Sequence, residues 1–111
     1  MDISKFNLHE APCGLFIFVN SLKIMTANQT LATMLGLTIQ DLVGKNLDVM
    51  LTSSNRLQFH LQVMTVLHVQ GHIEEIAMSL TGGKGIEIPV IFNAVRREVE
   101  GGPIPNVWSF V

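Results

Sequence analysis

An α+β fold is what this sequence predicts, and three observations carry it. Five short segments, 15–19, 22–26, 72–80, 86–94 and 107–111, are apolar or alternate apolar with polar residues at the period of a strand. Between the second and third of them, residues 28–70 place apolar side chains at helical spacing in three pieces. Asn, Gly and Pro clusters punctuate the joints. With 111 residues there is room for one domain around a single core.

Taken in order, residues 2–10 can start a helix with Asp2 as cap and Ile3, Phe6 and Leu8 as apolar contacts. Pro12 stops it, because the residue before a proline is pushed out of helical space. Residues 15–19, LFIFV, are continuously apolar, as in a strand covered on both faces. Asn20 and Ser21 supply a turn, and 22–26 return as a second strand. Asn28 is placed to cap a short helix whose apolar side is Leu31, Met34 and Leu35. Gly36 stops that helix, since a residue without Cβ takes the left-handed conformation cheaply. Thr38, with Asp41 three residues on, caps a second short turn closed by Leu42, Val43 and Gly44. After an apolar link over 49–51, the polar residues Thr52 to Asn55 cap a longer helix over 54–70, and Gly71 marks its end.

On a wheel of about 100° per residue, that helix has a narrow polar side of Gln58, Gln62 and Thr65. The rest is a wide apolar arc of Leu57, Phe59, Leu61, Val63, Met64, Val66 and Leu67, with His60 in its middle. Such an arc must touch something on two sides: the sheet, and either the small helices across an internal cavity or a partner protein. Residues 72–80 alternate, with Glu74, Ile76, Met78 and Leu80 on one face and Ile73, Glu75, Ala77 and Ser79 on the other. Residues 81–85 form a glycine hairpin. No helix N-terminus follows it, so it is not a phosphate cradle. Ile86, Ile88, Val90, Phe92 and Ala94 form the inward face of the next strand, with a local break or bulge expected at Pro89, which lacks a donor. Residues 98–105 are a Gly- and Pro-rich loop before the last strand. The abrupt end of that strand points to a domain cut from a longer protein.

The pattern Ile24, Asn28, Leu31, Met34-Leu35-Gly36, Leu42 and Gly44 resembles the central segment of PAS domains. Ala11-Pro12-Cys13-Gly14-Leu15 is similar to their approach to the first strand, and Gly83-Lys84-Gly85-Ile86-Glu87-Ile88-Pro89-Val90 to a later hairpin. The resemblance runs over nearly the whole chain. It implies a five-stranded antiparallel sheet with short helices on one face, over 13–111, after an N-terminal piece of 1–12. It also implies sensing and signal relay within a bacterial signal-transduction protein. A histidine kinase of a two-component system is the first expectation for the parent, with a diguanylate cyclase or phosphatase next. A homodimer and a C-terminal effector domain in the full-length protein follow from the same resemblance. Leading helices of such domains often pack against a second copy, which makes Ile3 and Phe6 the expected dimer contacts. The plainer expectation is that they cover one edge of this domain's own sheet.

Composition narrows the function. Net charge is −2, and the only basic cluster is Arg96-Arg97, which argues against a nucleic-acid partner. The single cysteine, Cys13, excludes an internal disulfide and a cysteine-based zinc site. Beside Pro12 and Gly14 it reads as a small buried hydrophobe rather than a reactive thiol. No apolar run has the length of a membrane span and no signal-peptide order opens the chain, so a cytoplasmic placement is expected. There is no nucleophile elbow, no paired carboxylate and no kinase motif. The domain by itself is expected to be non-catalytic.

Cofactors are weighed residue by residue. An imidazole at His60, amid an apolar arc, is costly without a partner. Its spacing to Gly71 resembles that of the proximal ligand in haem-binding oxygen-sensor PAS domains, but the neighbouring residues match those sensors poorly. A core histidine bonded to a carbonyl or a buried water is the commoner case. The light-sensing PAS branch carries a reactive cysteine where this chain reads Gly44-Lys45-Asn46-Leu47-Asp48, which excludes covalent flavin photochemistry. No cofactor and no metal is required by the sequence. A ligand cavity, if present, is lined by Phe16, Phe18, Met34, Met50, Phe59, His60, Val63, Met78 and Phe92. The same side chains would equally fill a solid core, and the alternative function is then a ligand-free dimerisation or interaction module.

Overall fold

Five strands form one antiparallel sheet in the computed structural model, which describes residues 7–98 and 106–111. They are β1 (Leu15–Val19), β2 (Ile24–Ala27), β3 (His72–Thr81), β4 (Glu87–Arg97) and β5 (Asn106–Phe110), in the order β2-β1-β5-β4-β3. The last strand is therefore the central one. Its register sets Ser109 opposite both Phe16 of β1 and Ala94 of β4, and Val107 opposite Phe18. Because successive side chains alternate across a sheet, Phe16, Phe18, Phe92, Ala94, Val107 and Ser109 share one face, and that face is buried. β1 is not covered on both sides as its apolar run suggests. Leu15, Ile17 and Val19 lie half-buried on the opposite face.

The helices lie between β2 and β3. Asn28 caps α1 (Gln29–Leu35), its Oδ1 accepting from the Leu31 N–H at 3.0 Å, and Gly36 ends it at φ 66°. Thr38 and Asp41 form a reciprocal capping box around the 3₁₀ turn Ile39–Asp41, with bonds of 3.2 and 2.8 Å. The expected long helix is interrupted. α2 (Ser53–Gln58) and α3 (Met64–Gln70) are joined by a π-helical turn, Phe59–Val63, a feature that recurs at functional positions. Phe59, Val63 and Leu67 are buried, whereas Leu57 and Leu61 are 65% and 62% exposed. The wide arc thus packs on one side only, and nothing among the described residues covers the other. Of the expected leading helix, only the 3₁₀ turn Leu8–Glu10, capped by Asn7, falls within the described residues. Ile3 and Phe6 lie outside them.

The second hairpin corrects two expectations. Pro89 breaks nothing: pairing runs without a shift from Ile76 opposite Phe92 to Thr81 opposite Glu87. The Ser79 N–H donates to Asn55 Oδ1 at 2.7 Å, away from β4. In an antiparallel ladder its opposite, Pro89, then turns its nitrogen to the far side as well. There β5 pairs with β4 only from Asn93 onward, so no strand among the described residues waits for the missing donor. The bulge lies instead between Ile73 and Ile76. Glu75 takes φ 56°, and its N–H is received by Asn93 Oδ1 at 3.0 Å. The extra residue inverts the parity of the strand, so Ile73 joins Met78 and Leu80 on the buried face rather than opposing them.

The glycines of this hairpin are needed for close approach as well as for turning. A Cβ on Gly82 would sit 2.2 Å from the Leu35 carbonyl oxygen, and one on Gly83 2.8 Å from that of Gly36. The hairpin tip therefore rests directly on the backbone at the end of α1.

Candidate functional site

Seven of the nine residues expected to line a cavity meet in the interior: Phe16, Phe18, Met50, Phe59, Val63, Met78 and Phe92 are all buried. Four of them close a ring. Phe16 packs on Phe18 with centroids 6.1 Å apart, Phe18 on Phe59 at 5.8 Å, Phe59 on Phe92 at 5.6 Å, and Phe92 on Phe16 at 6.2 Å. Phe16 and Phe18 are stacked at 24° and the other three pairs are tilted or edge-on, and such aromatic pairs are each worth about 0.5–1.5 kcal/mol beyond burial. Sheet and helix are thus joined through one aromatic cluster.

The other two expected residues fall elsewhere. Met34 is only partly buried, at the rim of the core. His60 is not in the interior at all. Its predecessor Phe59 takes the buried position, so the imidazole, about 100° further round the helix, faces out with its side chain 45% exposed. Its Nε2 lies 3.2 Å from Asp48 Oδ1 at the surface. An imidazole so directed is not placed to ligate a group held in the core, and the haem expectation loses its ligand. Cys13 is half-buried rather than fully buried. Among the described residues, no three of His, Cys, Asp and Glu are grouped as metal ligands.

One interior residue escaped the sequence reading. Ser109, on the buried face of β5 between Phe16 and Ala94, is 1% exposed, and its hydroxyl has no hydrogen-bond partner among the described residues. A buried polar group without a partner costs about 1–3 kcal/mol. Its signal was present in the alternation of the last strand: Ser109 has the parity of Val107, so a hydroxyl was due at an inward position.

Asn28, read from the sequence as a helix cap, does considerably more. It is fully buried. Its Oδ1 accepts from the N–H groups of Leu31 and Leu15, and its Nδ2 donates to the carbonyls of Leu8 and Cys13, all at 2.9–3.0 Å. Thr30 Oγ1 adds a bond to the Ala11 carbonyl at 2.6 Å, and His9 Nδ1 accepts from the Gln29 N–H at 2.9 Å. The segment leading into β1 is bolted to the start of α1 by side chains that satisfy both backbones.

One antiparallel sheet with short helices across a single buried face defines an α+β domain of the two-layer kind. The family model of the PAS fold matches residues 6–104, and the chain belongs to that family. PAS domains are sensory modules of signal transduction, generally without catalysis of their own. Phosphoserine phosphatase RsbP of Bacillus subtilis is 35% identical over 97 residues, covering 87% of this chain and 24% of the relative's length. Among solved structures, the PAS domain of a LuxR-family transcriptional regulator from Burkholderia thailandensis, in complex with ethanol, superposes with a TM-score of 0.79. It shares 19% identity, over 100% of this chain and 96% of that one. A PAS domain from Colwellia psychrerythraea gives a TM-score of 0.82 at 11% identity, over 92% and 86%. A PAS domain from a two-component sensor histidine kinase gives 0.77 at 13%, over 93% and 86%. No helix among the described residues is long and apolar enough to cross a membrane.

Proposed function

We propose that this chain is the cytoplasmic sensory module of a bacterial signalling protein and that its interior receives a small, mainly apolar ligand bearing one hydrogen-bonding group. The observation that carries the reading is the Ser109 hydroxyl, buried and unpartnered beside Phe16 and Ala94. A short alcohol would satisfy it while the ligand's carbon atoms meet the phenylalanines, the usual division between apolar lining and sparse polar contacts. The ethanol held by the Burkholderia thailandensis regulator supports that ligand class. Ligand binding shifts the balance between two arrangements of sheet and helix, through unequal affinity for the two. The 35% identity to RsbP favours a phosphatase as the parent's effector over a histidine kinase.

The test is an NMR titration of core methyl groups with ethanol and 1-propanol, on the wild type and on Ser109→Ala. Saturable shifts in the wild type, weakened in a folded Ser109→Ala, bear the proposal out. Linear, unsaturated shifts of equal size in both would refute it. A second reading, a ligand-free dimerisation module, is favoured by the direct ring-to-ring packing of Phe16, Phe18, Phe59 and Phe92. Exposed Leu57, Leu61 and Val69 would then supply contact surface. Concentration-dependent sedimentation without any alcohol response selects it.

A further inference from the structure

Arg96 is a cation at an inward position of the sheet. It has the parity of Phe92 and Ala94 along β4 and stands opposite the buried Val107 of β5. Its backbone N–H donates to the Gly71 carbonyl at 2.8 Å, which pins this end of β4 to the close of α3. The residue is half-buried, and a charge withdrawn from water calls for a partner. The ion pairs among the described residues join His60 to Asp48 and His72 to Glu74, so neither Glu98, two positions along, nor any other carboxylate there serves Arg96. Beside it is a pocket of about 220 Å³, lined by Asn20 of the turn between β1 and β2, by Met64, Leu67 and His68 of α3, and by Arg96 and Val107. The lining divides by chemistry. Buried Leu67 and Val107, with partly buried Met64, are apolar. Asn20, His68 and Arg96 bring N–H donors, and none of the six residues is acidic.

We infer that this pocket binds a short-chain monocarboxylate, its carboxylate on Arg96 with His68 and Asn20 beside it, and its methylenes against Met64, Leu67 and Val107. The guanidinium is a planar fork of donors that matches the two oxygens of a carboxylate. An inorganic anion would satisfy the fork but leave the three apolar side chains without contact. At about 30 Å³ for each water-sized group, the pocket holds roughly seven non-hydrogen atoms, the size of an acid of four or five carbons. The site does not depend on the Ser109 reading. That hydroxyl lies two residues along β5 from Val107, between Phe16 and Ala94, and does not line this pocket. A ligand here touches α3, β4, β5 and the β1–β2 turn at once, so its binding favours the arrangement that holds those elements together.

The experiment follows backbone amide NMR signals while sodium butyrate is added to the wild type, Arg96→Gln and Ser109→Ala, with sodium chloride and butyramide as controls. The expected result in the wild type is saturable shifts at Asn20, Leu67, His68, Arg96 and Val107, with a Kd on the order of millimolar for a ligand of this size. Arg96→Gln, checked for folding by circular dichroism, should weaken butyrate binding by about tenfold or more. Butyramide has the same shape without the charge and should bind the wild type as weakly, a comparison that needs no variant to fold. Ser109→Ala should bind butyrate as the wild type does. Shifts no different from those with chloride overturn the proposal. So does butyramide matching butyrate, or Arg96→Gln retaining full affinity. Butyrate binding lost in a folded Ser109→Ala would move the acid to the serine, overturning this site while leaving the proposed function standing.

Discussion

Replacing Asn28 by alanine removes one buried side chain and orphans four backbone groups at once. The lost cap on the Leu31 N–H is worth about 1 kcal/mol, the usual cost of deleting an Asn cap. The Leu15 N–H and the Leu8 and Cys13 carbonyls also lose their partners. These three are partly buried, so water reaches them incompletely, and each costs about 1 kcal/mol, the low end for an unmade bond. The expected loss is about 4 kcal/mol, a large share of the roughly 5–15 kcal/mol that stabilises a typical domain. At about 4 °C per kcal/mol, the melting temperature falls by about 15 °C. Urea denaturation of wild type and variant, with slopes compared, measures the difference directly. Asn28→Asp keeps both accepted bonds but turns a carboxylate on two carbonyl oxygens, and should fall between the two. A loss under about 1.5 kcal/mol for Asn28→Ala would mean that only the cap matters, and that the segment from Asn7 to Cys13 is not held through this residue.

Four further outcomes are expected. Asp41 accepts from Thr38, chiefly from its backbone N–H, and this holds its carboxyl below the usual 3.8. A carboxylate whose folded value lies below its unfolded one stabilises above the unfolded value and loses that contribution as pH falls through the folded one. Asp41→Asn should therefore be destabilising near pH 7 and nearly neutral near pH 2, and urea midpoints that differ equally at both would contradict the capping box. Gly82→Ala should cost about 2 kcal/mol or more, because its Cβ lands on the Leu35 carbonyl rather than on a movable side-chain tip. Gly36→Ala, strained only by its φ of 66°, should cost about 1 kcal/mol in the same denaturation assay. Phe59→Ala, which opens the aromatic ring, should cost about 3–5 kcal/mol, and a milder loss would show that the interior closes over the gap.

The sequence by itself determined several features whose partners lie within about one helical turn. Asn28 and Gly36 bound α1, Thr38 and Asp41 form their box, and glycine marks the hairpin tip, since each depends only on neighbours along the chain. The five strands and the aromatic interior followed from periodicity, which reads one face at a time. What tertiary structure decided involves partners far apart in the chain. The bulge that turns Ile73 inward depends on Asn93, eighteen residues from Glu75, and the harmlessness of Pro89 on where β5 stops pairing. Gly82 is required because of Leu35, and Leu57 and Leu61 face water because no other element among the described residues reaches them. His60 was misread for a related reason: apolar neighbours on both sides suggested burial, while the contact of Phe59 with Phe18 and Phe92 set which side of the helix turned inward. An arc of apolar residues states how much surface a helix has to bury. Only the packed sheet opposite it determines which part of that arc is covered.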